Sequence, residues 1–187
     1  MDLFLMDLLL KGMVPVKAKV LDVGCGEGRN GIFFIRNGYE YHGWDTDQSK
    51  IKLIEYLSKS IKGTNARFEV QDLLSVISEE QFDFIICSRV LHFADSRESF
   101  INMWKKLTSF LNPEGLIYFT MDSVVDNSVG KPIRNGQYEF PNSKIRFALT
   151  TELYDDIKKG FEEVEPLRTL VHHNERAQSF IVLKKKD

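Results

Sequence analysis

The sequence is short of several things, and each shortage excludes something. Across 187 residues there is no internal repeat, no low-complexity tract, and no apolar run near the ~20 residues a membrane span requires. Two cysteines, Cys25 and Cys87, are too few for a disulfide framework and suit a reducing compartment. Positive charge is not in excess: 25 Lys and Arg against 27 Asp and Glu leave a net charge of −2, so no global field favours nucleic acid or anionic lipid. The lysines at 184–186 make only a short basic end. Residues 1–10 are apolar but lack the positive segment and small-residue cleavage site of a secretory signal, carrying Asp2 and Asp7 instead. They read as an amphipathic helix, within residues 1–12, of a cytoplasmic protein. What remains is a globular balance, 43% apolar and 28% charged, expected to form one domain over residues 1–187.

The segments alternate in type. Lys19 to Val23 is a short apolar strand followed by a glycine loop and a helical run, Asn30 to Asn37, closed by Gly38. Tyr39 to Trp44 reads as a second strand, and Asp47 can cap a helix carrying Ile51, Ile54, Leu57 and Ile61. Ala66 to Val70 is a third strand. Phe82 to Cys87 is continuously apolar after Asp83, as a strand buried on both faces should be. Asp95 with Glu98 gives a capping-box signature for a helix with Phe100, Trp104, Leu107 and Leu111 on one stripe. Asn112-Pro113-Glu114-Gly115 then turns the chain into a strand over 116–121. Strands alternating with helices of this length predict an α/β protein, a parallel sheet with helices on both faces. Residues 122–149 show no sustained period. Thr150 or Thr151 caps a short helix ending at Gly160, and residues 164–172 and 177–183 read as an antiparallel strand pair with a tight connection.

The most informative stretch is Asp22-Val23-Gly24-Cys25-Gly26-Glu27-Gly28. A strand delivers the chain to a loop whose glycines let a ligand approach the backbone, with a helix N-terminus just beyond. The spacing is G-x-G-x-G, and Arg29 occupies the place where the dinucleotide fingerprint G-x-G-x-x-G has its third glycine. This argues against NAD. Asp45 ends the second strand 21 residues after Gly24, where a carboxylate can accept both hydroxyl protons of a ribose, each bond worth ~1.5–3 kcal/mol. Asp45 could instead serve only as a cap for the following helix.

In this order the chain resembles the class I S-adenosylmethionine-dependent methyltransferases. Residues 22–28 match their first motif, D/E-x-G-x-G-x-G, and Gly43-Trp44-Asp45 matches the acidic end of their second strand. Val70-Gln71-Asp72-Leu73 matches the segment where that family uses an acidic residue for the adenine amino group and the next amide for a ring nitrogen. Residues 87–93 (CSRVLHF) resemble the segment after the fourth strand in small-molecule methyltransferases. Leu111-Asn112-Pro113-Glu114-Gly115 resembles their L-x-P-G-G turn, with Glu114 replacing a glycine. Gly28-Arg29-Asn30 and Asn37-Gly38-Tyr39 resemble the tellurite-resistance and thiopurine branch. The resemblance covers residues 16–121 well and the last strand pair loosely. It implies a Rossmann-like, seven-stranded, mostly parallel sheet with a C-terminal antiparallel pair, and S-adenosyl-L-methionine as cofactor. The implied cofactor-binding residues are Asp22, Gly24, Cys25, Gly26, Gly28, Asn30, Asp45, Thr46, Asp72, Leu73, Ser88 and Arg89.

Methyl transfer from a sulfonium needs an acceptor atom in line with the methyl–sulfur bond, so positioning and exclusion of water are the main demands. A general base is needed only where the acceptor must lose a proton. His92, on the loop that borders the methyl group in that family, is the candidate, with a structural histidine beside the cofactor as the alternative. His172 and His173 are adjacent on an expected strand and point opposite ways, so no metal-ligand set is read. Cys25 and Cys87 read as small buried hydrophobes at the ends of neighbouring strands. The acceptor is expected to be a small molecule. Ser88-Arg89-Val90-Leu91 stands where amino-group methyltransferases of nucleic acid carry N/D-P-P-Y/F. The other reading is a cofactor-binding sensor or partner subunit without catalysis. The 122–149 excursion is too long for an ordinary connection. It is expected to act as a lid, with Tyr138, Phe140 and Phe147 lining a mostly apolar acceptor pocket, while its four bases and three acids count as solvated loop charges.

Overall fold

The computed structural model describes residues 1–125, 129–173 and 176–187; within the expected excursion, 126–128, and within the expected tight connection, 174–175, lie outside the described residues. Helix α1 (Leu3–Leu10) precedes β1 (Lys19–Val23), α2 (Gly31–Arg36), β2 (Glu40–Asp45), α3 (Gln48–Ser58), β3 (Asn65–Val70) and β4 (Phe82–Ser88). A 3-10 turn (Leu91–Phe93), α4 (Arg97–Ser109) and β5 (Leu111–Asp122) follow, then the short strands β6 (Lys131–Pro132), β7 (Gln137–Glu139) and β8 (Ile145–Phe147). Helix α5 (Thr151–Ile157), β9 (Phe161–His172) and β10 (Arg176–Lys185) complete the order.

Seven strands form one sheet in the order β3-β2-β1-β4-β5-β10-β9. The pairs among β1 to β5 are all parallel, while β10 runs antiparallel to both β5 and β9. Successive side chains of a strand leave opposite faces, and the sequence exploits this on both sides. Leu21, Val23, Ile85, Cys87, Ile117 and Phe119 enter one core with Phe100, Trp104 and Leu107 of α4 and Leu153 and Ile157 of α5. Val20, Phe84, Ile86, Tyr118 and Val182 enter the other core with Leu5 and Leu8 of α1 and Phe34 and Ile35 of α2. Strand β1 lies between β2 and β4, so successive crossovers leave it in opposite directions. The carboxyl ends of the strands at that switch point frame the crevice where open α/β sheets bind ligands.

Several expectations shift in detail. Helix α1 is apolar nearly all round rather than amphipathic: Leu5 and Leu8 are buried, yet Leu3, Met6 and Leu10 face solvent. The cap of α4 is Ser96, whose Oγ accepts the Ser99 amide at 3.1 Å, and Asp95 accepts the Ser96 hydroxyl. Ser96 is the residue in extended conformation next to the first helical turn, so its hydroxyl is the one within reach. Leu111 belongs to β5, not to the α4 stripe. The Asn112–Gly115 turn is a bulge inside β5, where the register with β4 slips between Phe82 and Phe84 and Glu114 has φ +61°. The helix α3 ends at Ser58, which leaves Leu57 partly exposed and Ile61 beyond the helix. The stretch expected to be irregular pairs β6, β7 and β8 into a small antiparallel sheet. His172 ends β9 and His173 turns at φ +49°.

Candidate functional site

The glycine loop is fastened to the end of β2. The amides of Gly24 and Cys25 both donate to the Trp44 carbonyl, at 2.7 and 3.0 Å. The Gly26 amide donates to Asp45 Oδ2 at 2.9 Å, and the Asp47 amide donates to Asp45 Oδ1 at 2.9 Å. Asp45 is not the cap of α3, which is Asp47, whose side chain accepts the Ser49 amide at 2.8 Å. Asp45 shapes the loop and the α3 entrance with one lone pair on each oxygen, and keeps the other pairs for a ligand. Asp22 is sealed under the loop, where its Oδ2 accepts the Tyr41 hydroxyl at 2.8 Å. Burial pushes its carboxyl up to about 7, with the Tyr41 hydrogen bond pulling against that rise.

Above the loop lies a cleft of about 750 Å³, within the range of small-ligand sites. Asp45, Thr46, Gln71, Asp72 and Leu73 line it from the β2 and β3 side of β1. Ser88, Arg89, His92 and Arg146 line it from the β4 side. A smaller cavity adjoins it and is lined by Asp22, Cys25 and Asn30, with Gly24, Gly26, Arg29, Lys50 and Ser88 common to both. A Cβ built on Gly26 would meet nothing within 4 Å, so the loop backbone is open to a ligand there. Asp72 spends Oδ1 on the amides of Leu74 and Ser75, at 3.0 and 3.1 Å, and so caps a turn as well as lining the cleft. Asn30 Oδ1 accepts the amide of Asp2 at 2.9 Å, and Asp2 accepts the Tyr118 hydroxyl, which ties α1 to the loop.

One expected cofactor residue is not at the surface of either cavity. Gly28 has φ +81°, and a Cβ there would stand 2.1 Å from Ile54 Cδ1. Its glycine serves the close packing of α3 on the loop rather than contact with a ligand. Cys25 and Cys87 are both buried, and burial pushes both thiols up, so they are inert hydrophobes as read. Among the described residues no cluster of three or more His, Cys, Asp or Glu could hold a metal ion, and no helix is long and apolar enough to cross a membrane.

The β4 side of the cleft departs most from expectation. A narrow crevice continues from it, lined by Arg89, His92, Asp122, Phe140, Asn142, Lys144, Arg146 and Arg176. Arg89, His92 and Arg146 line both spaces, so the crevice is the cleft's own continuation. Arg89 sits at φ +63°, a conformation uncommon outside glycine, with its amide held by the Thr120 carbonyl at 2.8 Å. Arg146 lies over the Phe93 ring at 5.1 Å. His92 is 3% exposed, and its Nδ1 stands 3.4 Å from Asp122 Oδ2 without forming a hydrogen bond. Burial first, then Arg146, Arg89, Arg176 and Lys144, push the His92 ring down to about 3. Burial raises Asp122, and the same cations oppose that rise.

The expected apolar pocket lined by aromatic residues is therefore not what the excursion builds. Phe147 stacks on Phe100 of α4 with centroids 5.2 Å apart and anchors the small sheet to the core. Tyr138 borders neither space, and Phe140 alone of the three reaches the crevice. The cations come from four separate places: the end of β4, the β7–β8 turn, β8 and the start of β10. No local sequence signal joins them, because charges counted along the excursion omit Arg89 and Arg176 and include Glu139, which is exposed and does not line the crevice.

The comparisons with known proteins bear on the family and the fold. The family model described as tellurite resistance protein TehB matches residues 10–129. A probable S-adenosyl-L-methionine-dependent methyltransferase TehB of Haemophilus influenzae is 30% identical over 97 residues, 52% of this chain and 33% of that protein. The chain spans between 30% and 48% of the length of the curated relatives it matches. The crystal structure of TehB from Haemophilus influenzae shares the fold at TM-score 0.72 and 21% identity, over 97% of this chain and 62% of that one. So does a Burkholderia thailandensis 1,6-didemethyltoxoflavin-N1-methyltransferase with bound 1,6-didemethyltoxoflavin and S-adenosylhomocysteine, at TM-score 0.74 and 17% identity, over 98% and 76%.

Proposed function

We propose that this chain, which belongs to the TehB family and with it to the class I S-adenosylmethionine-dependent methyltransferases, transfers a methyl group from S-adenosyl-L-methionine to a small anionic acceptor. The observation that carries the choice of acceptor is the convergence of Arg89, Lys144, Arg146 and Arg176 on one crevice of the cleft. Four cations around a partly dehydrated space concentrate anions, and arginine forks suit a carboxylate or an oxyanion. The family is named for resistance to tellurite, itself an oxyanion.

The residues present fit the cofactor. Asp45 has the free lone pairs for two ribose hydroxyls, Asp72 and the Leu73 amide lie where an adenine edge is read, and the open backbone at Gly26 takes the amino-acid end beside Asp22 and Asn30. The cofactor supplies a methyl group already activated on a sulfonium. The chain's own work is therefore alignment of the acceptor and exclusion of water. His92 is neutral at physiological pH and serves as proton acceptor where the acceptor atom carries a proton. An anionic group of an acceptor bound in the cleft, reaching toward the four cations, offsets their charge, so the ring becomes more basic when the acceptor is in place. The 122–149 excursion, which supplies Lys144 and Arg146, acts as the lid of a single domain. Two buried free thiols suit work in the cytoplasm.

The test is turnover of isotopically labelled donor with a metabolite extract fractionated by charge, inorganic oxyanions included. Label transfer should require the anionic fraction. Transfer supported only by neutral or cationic fractions overturns the choice of acceptor, and no transfer with any fraction favours a cofactor-binding protein without catalysis.

A further inference from the structure

His92 and Asp122 present an unfinished interaction. His92 Nδ1 and Asp122 Oδ1 are both sealed from solvent, and neither has a hydrogen-bond partner among the described residues. Leaving two buried polar groups unpaired is costly, and a buried carboxylate is the costlier of the two. Yet the pair is complementary: Nδ1 can donate, the carboxylate can only accept when ionised, and Nδ1 already stands 3.4 Å from Oδ2. A small rotation of the Asp122 carboxylate closes the remaining distance.

Two arrangements of the shared proton are open to such a pair. The proton can sit on Nδ1 facing an ionised Asp122, or on the carboxyl facing a bare Nδ1, which moves the ring's own proton to Nε2. The surroundings decide between them. Arg89, Lys144, Arg146 and Arg176 all line the crevice that Asp122 faces, and among the described residues none of the others lining it is acidic. Burial works toward the carboxylic acid, but the four cations oppose it and an Nδ1–H donor beside Oδ2 favours the carboxylate, which places the proton on Nδ1. The remaining polar residue there, Asn142, carries no charge.

We propose that Asp122 is a positioning residue that holds His92 in the Nδ1–H tautomer, leaving the Nε2 lone pair free for the acceptor. Asp122 touches no reacting atom in this scheme. It fixes which nitrogen is basic, the task a buried aspartate performs wherever it orients a histidine. The assignment rests on the proposed methyl transfer only for its purpose; the tautomer itself is a property of the ligand-free protein. It also gives a reason for a carboxylate to lie inside a basic crevice that would otherwise hold an anion more tightly without it.

The experiment is long-range ¹H–¹⁵N correlation of the imidazole rings in the full chain labelled at histidine. Four histidines make the assignment tractable, with His92→Asn identifying the signal. His92 should show a protonated Nδ1 and a bare Nε2 at pH 6 to 8, and should remain neutral throughout. Asp122→Asn should move at least a tenth of the signal toward Nε2–H, while donor-product affinity stays within about threefold of the wild type. Once an acceptor is identified, the same variant should lower kcat at least tenfold with little change in donor KM. A wild-type ring in the Nε2–H form overturns the proposal whether or not the variant folds, as does an Asp122→Asn ring indistinguishable from wild type. An Nδ1–H ring in a protein that methylates only neutral compounds supports this inference and sinks the anionic acceptor instead, so the two failures are separable.

Discussion

Replacing Tyr41 by Phe should destabilise the protein more at pH 8 than at pH 5. The Tyr41 hydroxyl donates to Asp22 at 2.8 Å, and both groups are buried. Burial raises Asp22 to about 7, so the folded protein holds that proton where the unfolded chain has released it. A raised acid is at its most favourable below about pH 4, and that contribution is lost as pH rises through about 7. At pH 5 the bond runs between two neutral groups and is worth about 0.5–1.5 kcal/mol; at pH 8 its acceptor is charged and it is worth about 1.5–3 kcal/mol. Phe keeps the ring, and with it the packing against Phe34 and Phe68 at centroid distances of 6.5 and 5.9 Å, so the lost hydroxyl dominates the difference. The excess at pH 8 should be about 1 kcal/mol. Urea titrations of both proteins at both pH values measure it, provided the slope with denaturant is unchanged. Equal losses at the two pH values, or a larger loss at pH 5, would refute a sealed, titrating Asp22 beneath the glycine loop.

Gly31→Ala attacks the same pair from the other side, since its Cβ would fall 2.3 Å from the Tyr41 hydroxyl oxygen; thermal melts should show a loss of about 1–3 kcal/mol from overpacking. Asp45→Ala removes the acceptor of the Gly26 and Asp47 amides as well as the proposed ribose partner, so calorimetry should show donor-product binding weakened by about 10- to 100-fold, and an unchanged Kd would leave Asp45 only an anchor of the loop. His92→Ala should lower the methyl-transfer rate by about 10²–10⁴ with donor affinity near wild type, and an equal loss in both would make His92 structural. Adding the demethylated donor should slow hydrogen exchange in the excursion and in α1, which Asn30 ties to the loop; protection confined to the glycine loop, Asp45 and Asp72 would exclude a coupled lid.

The sheet was legible because its signals are local. Strand β4 is apolar on both faces, and the loop between β1 and α2 has a spacing that only a few ligand classes use. Boundaries were read less well wherever two neighbouring residues could do one job. Asp95 and Ser96 are both good caps, and only backbone conformation selects the serine. Asn112–Gly115 has turn chemistry, but β4 and β5 continue to pair across it, so the turn becomes a bulge. The small sheet of the excursion has strands of two and three residues, too short for any period to show.

The two halves of the cleft differ in the same way. Cofactor-side residues belong to motifs because each is fixed at the end of one strand, a set distance from its neighbours in sequence. On the proposed acceptor side the working unit is a charge density, and a charge density can be assembled from any element that reaches the spot. Arg89 and Arg176 are 87 positions apart, yet both raise the potential at His92. A reading along the chain sees each as one surface charge balanced by a nearby acid. The fold undoes that balance, because acids such as Glu139 face solvent while the bases converge on Asp122 and His92. Strain and charge meet in the same place: Arg89 takes a left-handed backbone, and His92 loses basicity first to burial and then to the converging cations. The proposed anionic acceptor offsets that charge, which is why the crevice, rather than the glycine loop, is where acceptor specificity should be sought.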